Sequence, residues 1–230
     1  MLQPAGPAGA EASFAQQPTW HRRLSHERLT FADGDTTATQ AWNYAPYCPA
    51  ACVRVPPHWA QHGFVLAVEI EALPKKAGWL SFGVGREQGK ASSLFGHADG
   101  TCGLYQHAEH EPTRFAATEG YDFARRADRG DKQLDPVLRA GTRLEAHLSR
   151  DAGGSHTARF FADGLECALF TFDGDVEGRA WVAGVTLSKD ARVRIVHAGI
   201  GEAEGRCRRQ QRMRAAPAVA ARSQCGSSAQ

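Results

Sequence analysis

Apolar and polar residues alternate with a period of two along most of the chain from residue 141 to residue 197. In residues 142–148 one face carries Leu and Ala side chains, and the other carries Arg, Glu and His. Side chains of a β-strand point alternately to its two faces, so this pattern indicates a half-buried strand. Similar stretches follow at residues 158–162, 165–169, 181–187 and 193–195, with Asp163-Gly164 and Asp173-Gly174 as tight turns. The pattern predicts a meander of consecutive antiparallel strands that buries one face and exposes the other.

Shorter stretches of the same kind precede residue 141. They predict strands at residues 29–31, 36–42, 52–55, 64–70, 79–85 and 101–107. The strand at 64–70 is apolar on both faces until Glu69, which is typical of a central strand. Residues 109–138 carry only short strand hints at Phe115, Tyr121 and Phe123, and we expect a long, partly mobile loop there. Because no helix of ordinary length is indicated anywhere, the chain is predicted to be all-β.

Length and composition fit one β-domain with flanking tails. The chain has 230 residues, of which 42% are hydrophobic, and this is enough for one sizeable core. Residues 1–19 are small, polar and Pro-containing, and we expect them to be disordered. The domain is therefore placed at residues 20–200, with a basic, disordered tail at residues 201–230. The net charge of +2 is uneven, because residues 199–230 contain six Arg and two Glu.

Cysteine usage favours a reduced, cytoplasmic (intracellular) protein. Six cysteines are scattered at positions 48, 52, 102, 167, 207 and 225, and Asn43, the only Asn, is not a glycosylation site. No stretch approaches the ~18 apolar residues of a membrane span. Residues 1–19 have neither a basic nor an apolar segment, so a secretory signal is not expected.

The order of these features resembles a SPRY domain. The strand at 64–73, followed by Trp79-Leu-Ser-Phe-Gly-Val-Gly85, is similar to that family's strand and W-x-x-G-V-G/A motif. Ser93-Leu-Phe-Gly-His-Ala-Asp-Gly100 resembles its aromatic-Gly…Asp-Gly segment, and Ala158-Arg-Phe-Phe-Ala-Asp-Gly164 resembles its I-x-F-x-x-N-G strand. The neuralised-homology repeat, a close relative, is similar at residues 37–39 and 79–85. The resemblance covers residues 28–198 and implies a concanavalin A-like, antiparallel two-sheet β-sandwich.

The resemblance also implies a non-catalytic protein–protein interaction module. Such a module binds a short peptide segment of a partner protein through loops at one end of the sandwich, as a substrate-recognition or scaffold component. Trp, Tyr and Arg suit this surface because they bury much area with few rotors lost. The loops that match by order contain the predicted partner-binding residues, which are Trp42, Tyr44, Tyr47, Arg86, His97, Asp99 and Tyr105.

A carbohydrate-binding or glycoside-hydrolysing sandwich is the alternative. Glu69 and Glu71 lie two apart on one strand face, with roughly 6.5–7 Å between their Cα atoms. Glycosidases use a pair of carboxylates as acid and nucleophile. The Glu-x-Asp-x-Glu strand of glucanases with this architecture is incomplete here, because residue 73 is Leu. A solvated strand face is the other interpretation of the same two residues.

No metal and no cofactor is predicted. Cys48, Cys52, His58 and His62 are spaced too closely for a zinc finger. No Gly-x-Ser-x-Gly elbow is present to expose a nucleophile, and Gly83-Val-Gly85 precedes no helix that would hold a phosphate.

The basic tail is the one feature that suggests nucleic acid or anionic lipid. Its clustered arginines are Arg206, Arg208, Arg209, Arg212 and Arg214. No aromatic residues are interleaved with them, which argues against single-strand binding. A protein or peptide partner is therefore preferred to nucleic acid.

Overall fold

The computed structural model describes ten segments of the chain. They are residues 18–41, 49–74, 79–87, 95, 100–106, 113–118, 122–124 (backbone only), 137–150, 153–172 and 180–200. These segments contain thirteen β-strands and one helical turn. No helix within them is long and apolar enough to cross a membrane.

The strands in chain order are short at the two ends of the described fold and longer in its centre. The first seven are β1 (Leu29–Ala32), β2 (Thr37–Gln40), β3 (Ala50–Val55), β4 (Phe64–Ala72), β5 (Leu80–Arg86), β6 (Thr101–Gln106) and β7 (Arg114–Ala117). The others are β8 (Asp122–Ala124), β9 (Arg143–Arg150), β10 (His156–Ala162), β11 (Leu165–Phe172), β12 (Trp181–Leu187) and β13 (Arg192–Ile200). The helical turn α1 (Trp59–His62) connects β3 to β4.

The described strands form two antiparallel sheets. The eight-stranded sheet has the order β1-β2-β13-β4-β9-β10-β11-β8, and the five-stranded sheet has the order β3-β12-β5-β6-β7. Their apolar faces meet in one core, where the rings of Phe82 and Phe160 lie edge to face with centroids 6.0 Å apart. The predicted all-β, two-sheet sandwich is confirmed, and β4 occupies the predicted central position between β13 and β9.

The hairpin from β10 to β11 turns where the sequence predicts it. Asp163 and Gly164 have φ of 50° and 76°. A type I′ turn needs positive φ at both central residues, and its twist matches that of the flanking strands. Asp33 and Gly34 adopt the same conformation between β1 and β2. The predicted turn at Asp173-Gly174 lies outside the described residues.

The predicted meander is correct only for β9, β10 and β11. β12 pairs with β3 and β5 in the other sheet, and β13 returns to pair with β2 and β4. All seven residues of β12 are buried. Its sequence is apolar on both faces, and both faces are covered. One face packs in the core between the two sheets, and Val182 on the other face packs in a cluster with Leu24 and Phe95.

The long loop predicted for residues 109–138 is partly wrong. β7 completes one edge of the five-stranded sheet, and β8 completes one edge of the eight-stranded sheet. The strand hints at Phe115 and Phe123 mark these two elements. The last residues of the predicted loop are held by Gln106, whose buried amide binds both the N–H and the C=O of Leu138 at 2.6 and 2.9 Å.

Candidate functional site

Five of the seven predicted partner-binding residues, namely Trp42, Tyr44, Tyr47, His97 and Asp99, lie outside the described residues. Arg86 is exposed at the end of β5, and Tyr105 is half-buried near the end of β6.

The structure does not bring Arg86 and Tyr105 together. The two strands are antiparallel neighbours in which Gly85 pairs with Thr101 and Ser81 pairs with Tyr105. Arg86 and Tyr105 therefore lie at opposite ends of the five-stranded sheet. Ala50, which follows the loop of Trp42, pairs with Thr186 in the same row as Ser81 and Tyr105. The two described residues, Arg86 and Tyr105, therefore belong to two surfaces, one at each end of this sheet.

We call the first of these surfaces the Arg86 end, and define it by Arg54, Arg86, Glu87 and Gly100. The Arg86 N–H donates to the carbonyl oxygen of Gly100 at 3.0 Å, which ties the loop before β6 to the end of β5. Arg54 and Glu87 form an ion pair at 3.2 Å. Among the described residues, the Arg86 guanidinium has neither a carboxylate nor a hydrogen-bond partner. The Arg86 end therefore carries one exposed guanidinium without a described partner, next to the Arg54–Glu87 ion pair.

Phe95 anchors the loop that carries His97 and Asp99. Its ring is buried on the outer face of the five-stranded sheet, in a small cluster with Leu24, Cys52 and Val182. Its N–H donates to Ser81 Oγ at 3.1 Å. The Arg86 N–H binds Gly100 in turn, so Phe95 and Gly100 are both hydrogen-bonded to β5.

Glycine explains how Phe95 approaches the sheet so closely. A Cβ built on Gly83 would lie 2.5 Å from the Cβ of Phe95 and closer still to the carbonyl oxygen of Cys102. Gly83 pairs with Gly184 on one side and Gly103 on the other, which leaves a shallow surface across three strands. The Gly83-Val-Gly85 motif therefore accommodates a loop residue. Glycines on one face of a strand are a sequence signal of such a close approach.

Glu69 and Glu71, the residues of the carbohydrate alternative, are both paired with arginines of β13. Arg194 Nη2 donates to Glu69 at 2.7 Å, and Arg194 Nε donates to Glu71 at 3.0 Å. Arg192 Nε is 3.0 Å from the second oxygen of Glu71. These pairs join β4 to β13 across the outer face of the eight-stranded sheet, so the two carboxylates hold strands together.

The described cysteines are not poised as nucleophiles. Burial raises the pKa of Cys52 to about 12, with a further contribution from the charge of Glu87. Burial also raises the pKa of Cys167 to about 12 and that of Cys102 well above its ordinary value. Since the thiolate is the reactive form, these thiols are inert at neutral pH. In the part of the chain that the structure describes, no three His, Cys, Asp or Glu side chains are grouped to hold a metal ion.

Glu145 and His147 form a polar pair on the outer face of β9. Their side chains approach at 2.9 Å between His147 Nε2 and Glu145 Oε2, and His147 is only 4% exposed. The hydrogen bond to His147, together with the positive charge of Arg143, holds the pKa of Glu145 below its ordinary value. The ring of His147 also lies 4.5 Å from that of Phe161 on β10, so the pair connects two strands.

This lowered pKa predicts an acid-dependent contribution to stability. The unfolded chain takes up the Glu145 proton at a higher pH than the folded chain does, so the stability from Glu145 is present above pH ~4.3 and is lost as the pH falls further. Glu145→Gln is expected to cost about 1–2 kcal/mol at pH 5.5, and the difference from wild type should shrink towards pH 3. Urea unfolding of both proteins at several pH values measures this difference in the free energy of unfolding. A difference that stays constant with pH would contradict this assignment.

The comparisons with known proteins concern the architecture. No protein-family model and no curated protein sequence matches this chain. Among solved structures it is similar to the TRIM65 PSpry domain, with 12% identity, a TM-score of 0.49 and coverage of 78% of this chain and 88% of that one. A human SPRY domain is similar at 15% identity and TM-score 0.47, covering 74% of this chain and 94% of that one.

An enzyme structure is similar as well. Alginate lyase AlgAT5 from polysaccharide lyase family 7 matches at 16% identity and TM-score 0.40, covering 76% of this chain and 82% of that one. Likenesses this distant say nothing of function, so the function must be argued from the residues of this chain.

Proposed function

We propose that residues 20–200 form a non-catalytic protein–protein interaction module, flanked by tails at residues 1–19 and 201–230, that binds a short peptide segment of a partner protein. The proposed binding surface is the Arg86 end together with the loop that contains His97 and Asp99. One observation carries the proposal: this loop is anchored at Phe95 and at Gly100, directly beside an exposed arginine whose guanidinium has no partner among the described residues.

Anchoring matters because ordering a loop on binding costs free energy. A loop whose two ends are already held loses less conformational entropy when a peptide docks, so a few anchor contacts are enough for useful affinity. Arg86 suits an acidic side chain or a terminal carboxylate on the peptide, since its guanidinium presents a fork of donors that matches a carboxylate.

The second surface, at the Tyr105 end, stays a prediction. Trp42, Tyr44, Tyr47 and Tyr105 are aromatic residues of the kind that carry binding energy. We propose them as a separate contact region, since the register of β5 and β6 places Tyr105 away from Arg86. The arginine partners of Glu69 and Glu71 argue against the carbohydrate alternative, because they neutralise both carboxylates.

A displayed library of short peptides, selected on the full-length chain, tests the proposal. Arg86→Ala is expected to weaken the selected peptides at least tenfold, as loss of a binding anchor does. Arg114→Ala is the matched control, because Arg114 is also exposed and free of partners among the described residues, but lies beside Tyr105. The proposal fails if no peptide is enriched, or if both variants bind as the wild type does. Loss with Arg114→Ala alone would move the site to the Tyr105 end.

A further inference from the structure

Arg159 is an unpaired cation on the outer face of the eight-stranded sheet, which is the face turned away from the five-stranded sheet. It lies near the middle of β10, between His147 of β9 and Leu169 of β11. The side chain is half-buried, and its Nε–H is buried without an acceptor. Within the described segments, the side chain of Arg159 makes no hydrogen bond and no ion pair. A buried charged donor without an acceptor lowers the stability of the fold, so its presence here needs an explanation.

The other arginines of this face have carboxylate partners. Arg143 is 3.0 Å from Glu145, and Arg192 and Arg194 share Glu69 and Glu71. Glu166 of β11 lies opposite Phe161, one row from Arg159, and makes no ion pair with it. The face therefore carries one positive charge near its centre that no described carboxylate balances.

Hydrogen-bonding side chains and one apolar side chain lie next to Arg159 on this face. Thr157 and Ser149 lie one row further along on β10 and β9, with their hydroxyls 2.8 Å apart. His147 lies directly across from Arg159, and Leu169 lies on its other side. Hydroxyl and imidazole groups can donate to an oxyanion, and the guanidinium binds one through two parallel hydrogen bonds.

We propose that Arg159 is the anchor of an oxyanion-binding site, which takes the carboxylate or phosphate group of a small ligand on this sheet face, with Ser149 and Thr157 as further polar contacts. The site is separate from the Arg86 end, because it lies on the outer face of the other sheet. A bound oxyanion balances the charge of the Arg159 guanidinium, which no described carboxylate does.

Thermal unfolding of the full-length chain with inorganic phosphate or acetate, at constant ionic strength against chloride, tests the site. At an anion concentration about five times the Kd, binding is expected to raise the Tm of the wild type by about 2–4 °C. Phosphate also stabilises proteins in general, so the readout is the difference between variants. Arg159→Met should lose this part of the rise, and the control Arg114→Met should keep it. A difference between the wild type and Arg159→Met that is larger in phosphate identifies a phosphate group, and one that is larger in acetate identifies a carboxylate.

Arg159→Met keeps a long side chain and removes an unpaired charge, so it is expected to fold. An independent measurement on the wild type uses the side-chain Nε–Hε resonance of Arg159 by nuclear magnetic resonance, which should shift with saturation as either anion is added. Equal rises in Tm for Arg159→Met and the wild type, or an Arg159 resonance that does not move in either anion, would overturn the site.

Discussion

Replacing Phe160 by Ala is expected to lower the free energy of unfolding by about 3–5 kcal/mol. Phe160 is fully buried in β10, and its ring meets Phe82 of the opposite sheet and Phe170 of β11 edge to face, at 6.0 and 5.6 Å between centroids. The substitution removes contacts to both sheets at once. Strand backbones cannot move inward to fill the cavity without breaking the pairing with β9 and β11, so little of the loss is recovered.

Urea unfolding of the purified chain measures this effect. Leu165→Ala is the matched control, because Leu165 opens the next strand but is 57% exposed, and its truncation should change stability by about 0.5 kcal/mol or less. A loss from Phe160→Ala of under about 1 kcal/mol, or one equal to that of Leu165→Ala, would show that the two sheets do not pack through this ring.

Adding one methyl group at Gly83 is expected to destabilise the fold by about 1–3 kcal/mol and to weaken peptide binding at the Arg86 end. The added Cβ would collide with the backbone carbonyl of Cys102 on β6, which no side-chain rotation relieves, and with the Cβ of Phe95. The added methyl group, the backbone of β6 and the side chain of Phe95 cannot all be accommodated in their present positions. If the strand pairing is kept, Phe95 must be displaced, and the loop before Gly100 loses one of its fixed ends.

Gly199→Ala supplies the control for Gly83→Ala. Gly199 is also a strand glycine, but its added Cβ would meet only the ring of His197 at 3.8 Å, an ordinary contact. This variant should be neutral or slightly stabilising. Phe95→Ala separates the two consequences of Gly83→Ala, because it frees the loop without touching the sheet backbone, and it should weaken peptide binding to a similar degree. Wild-type stability and binding in Gly83→Ala would rule out this role for the glycine.

The strands and hairpins could be predicted because their causes are local. The alternation in β9 and β10 depends on neighbouring residues only, and a strand with one apolar face shows it directly. The same holds for the positive-φ turn at Asp163-Gly164. The assignment of β12 could not be predicted in this way, because a strand apolar on both faces fits the interior of either sheet.

The candidate site was less accessible to prediction than the fold. Arg86 directly follows the predicted strand at residues 79–85, and the structure places it as the exposed last residue of β5. Its separation from Tyr105 follows from the antiparallel pairing of β5 with β6, and a list of loops in chain order does not contain that information. The arginine partners of Glu69 and Glu71, Arg192 and Arg194, follow them along the chain only on the last strand, so no local pattern connects them.

The sequence by itself determined the all-β class, most of the strands and two of the hairpin turns, because side-chain period and glycine conformation act over a few residues. Only the tertiary structure decided which sheet takes β12, where Phe95 packs, which carboxylates are neutralised and which arginines have no carboxylate partner among the described residues. These outcomes depend on pairings between distant segments. Several registers satisfy the same local pattern, and the packing of the two sheets against each other selects one.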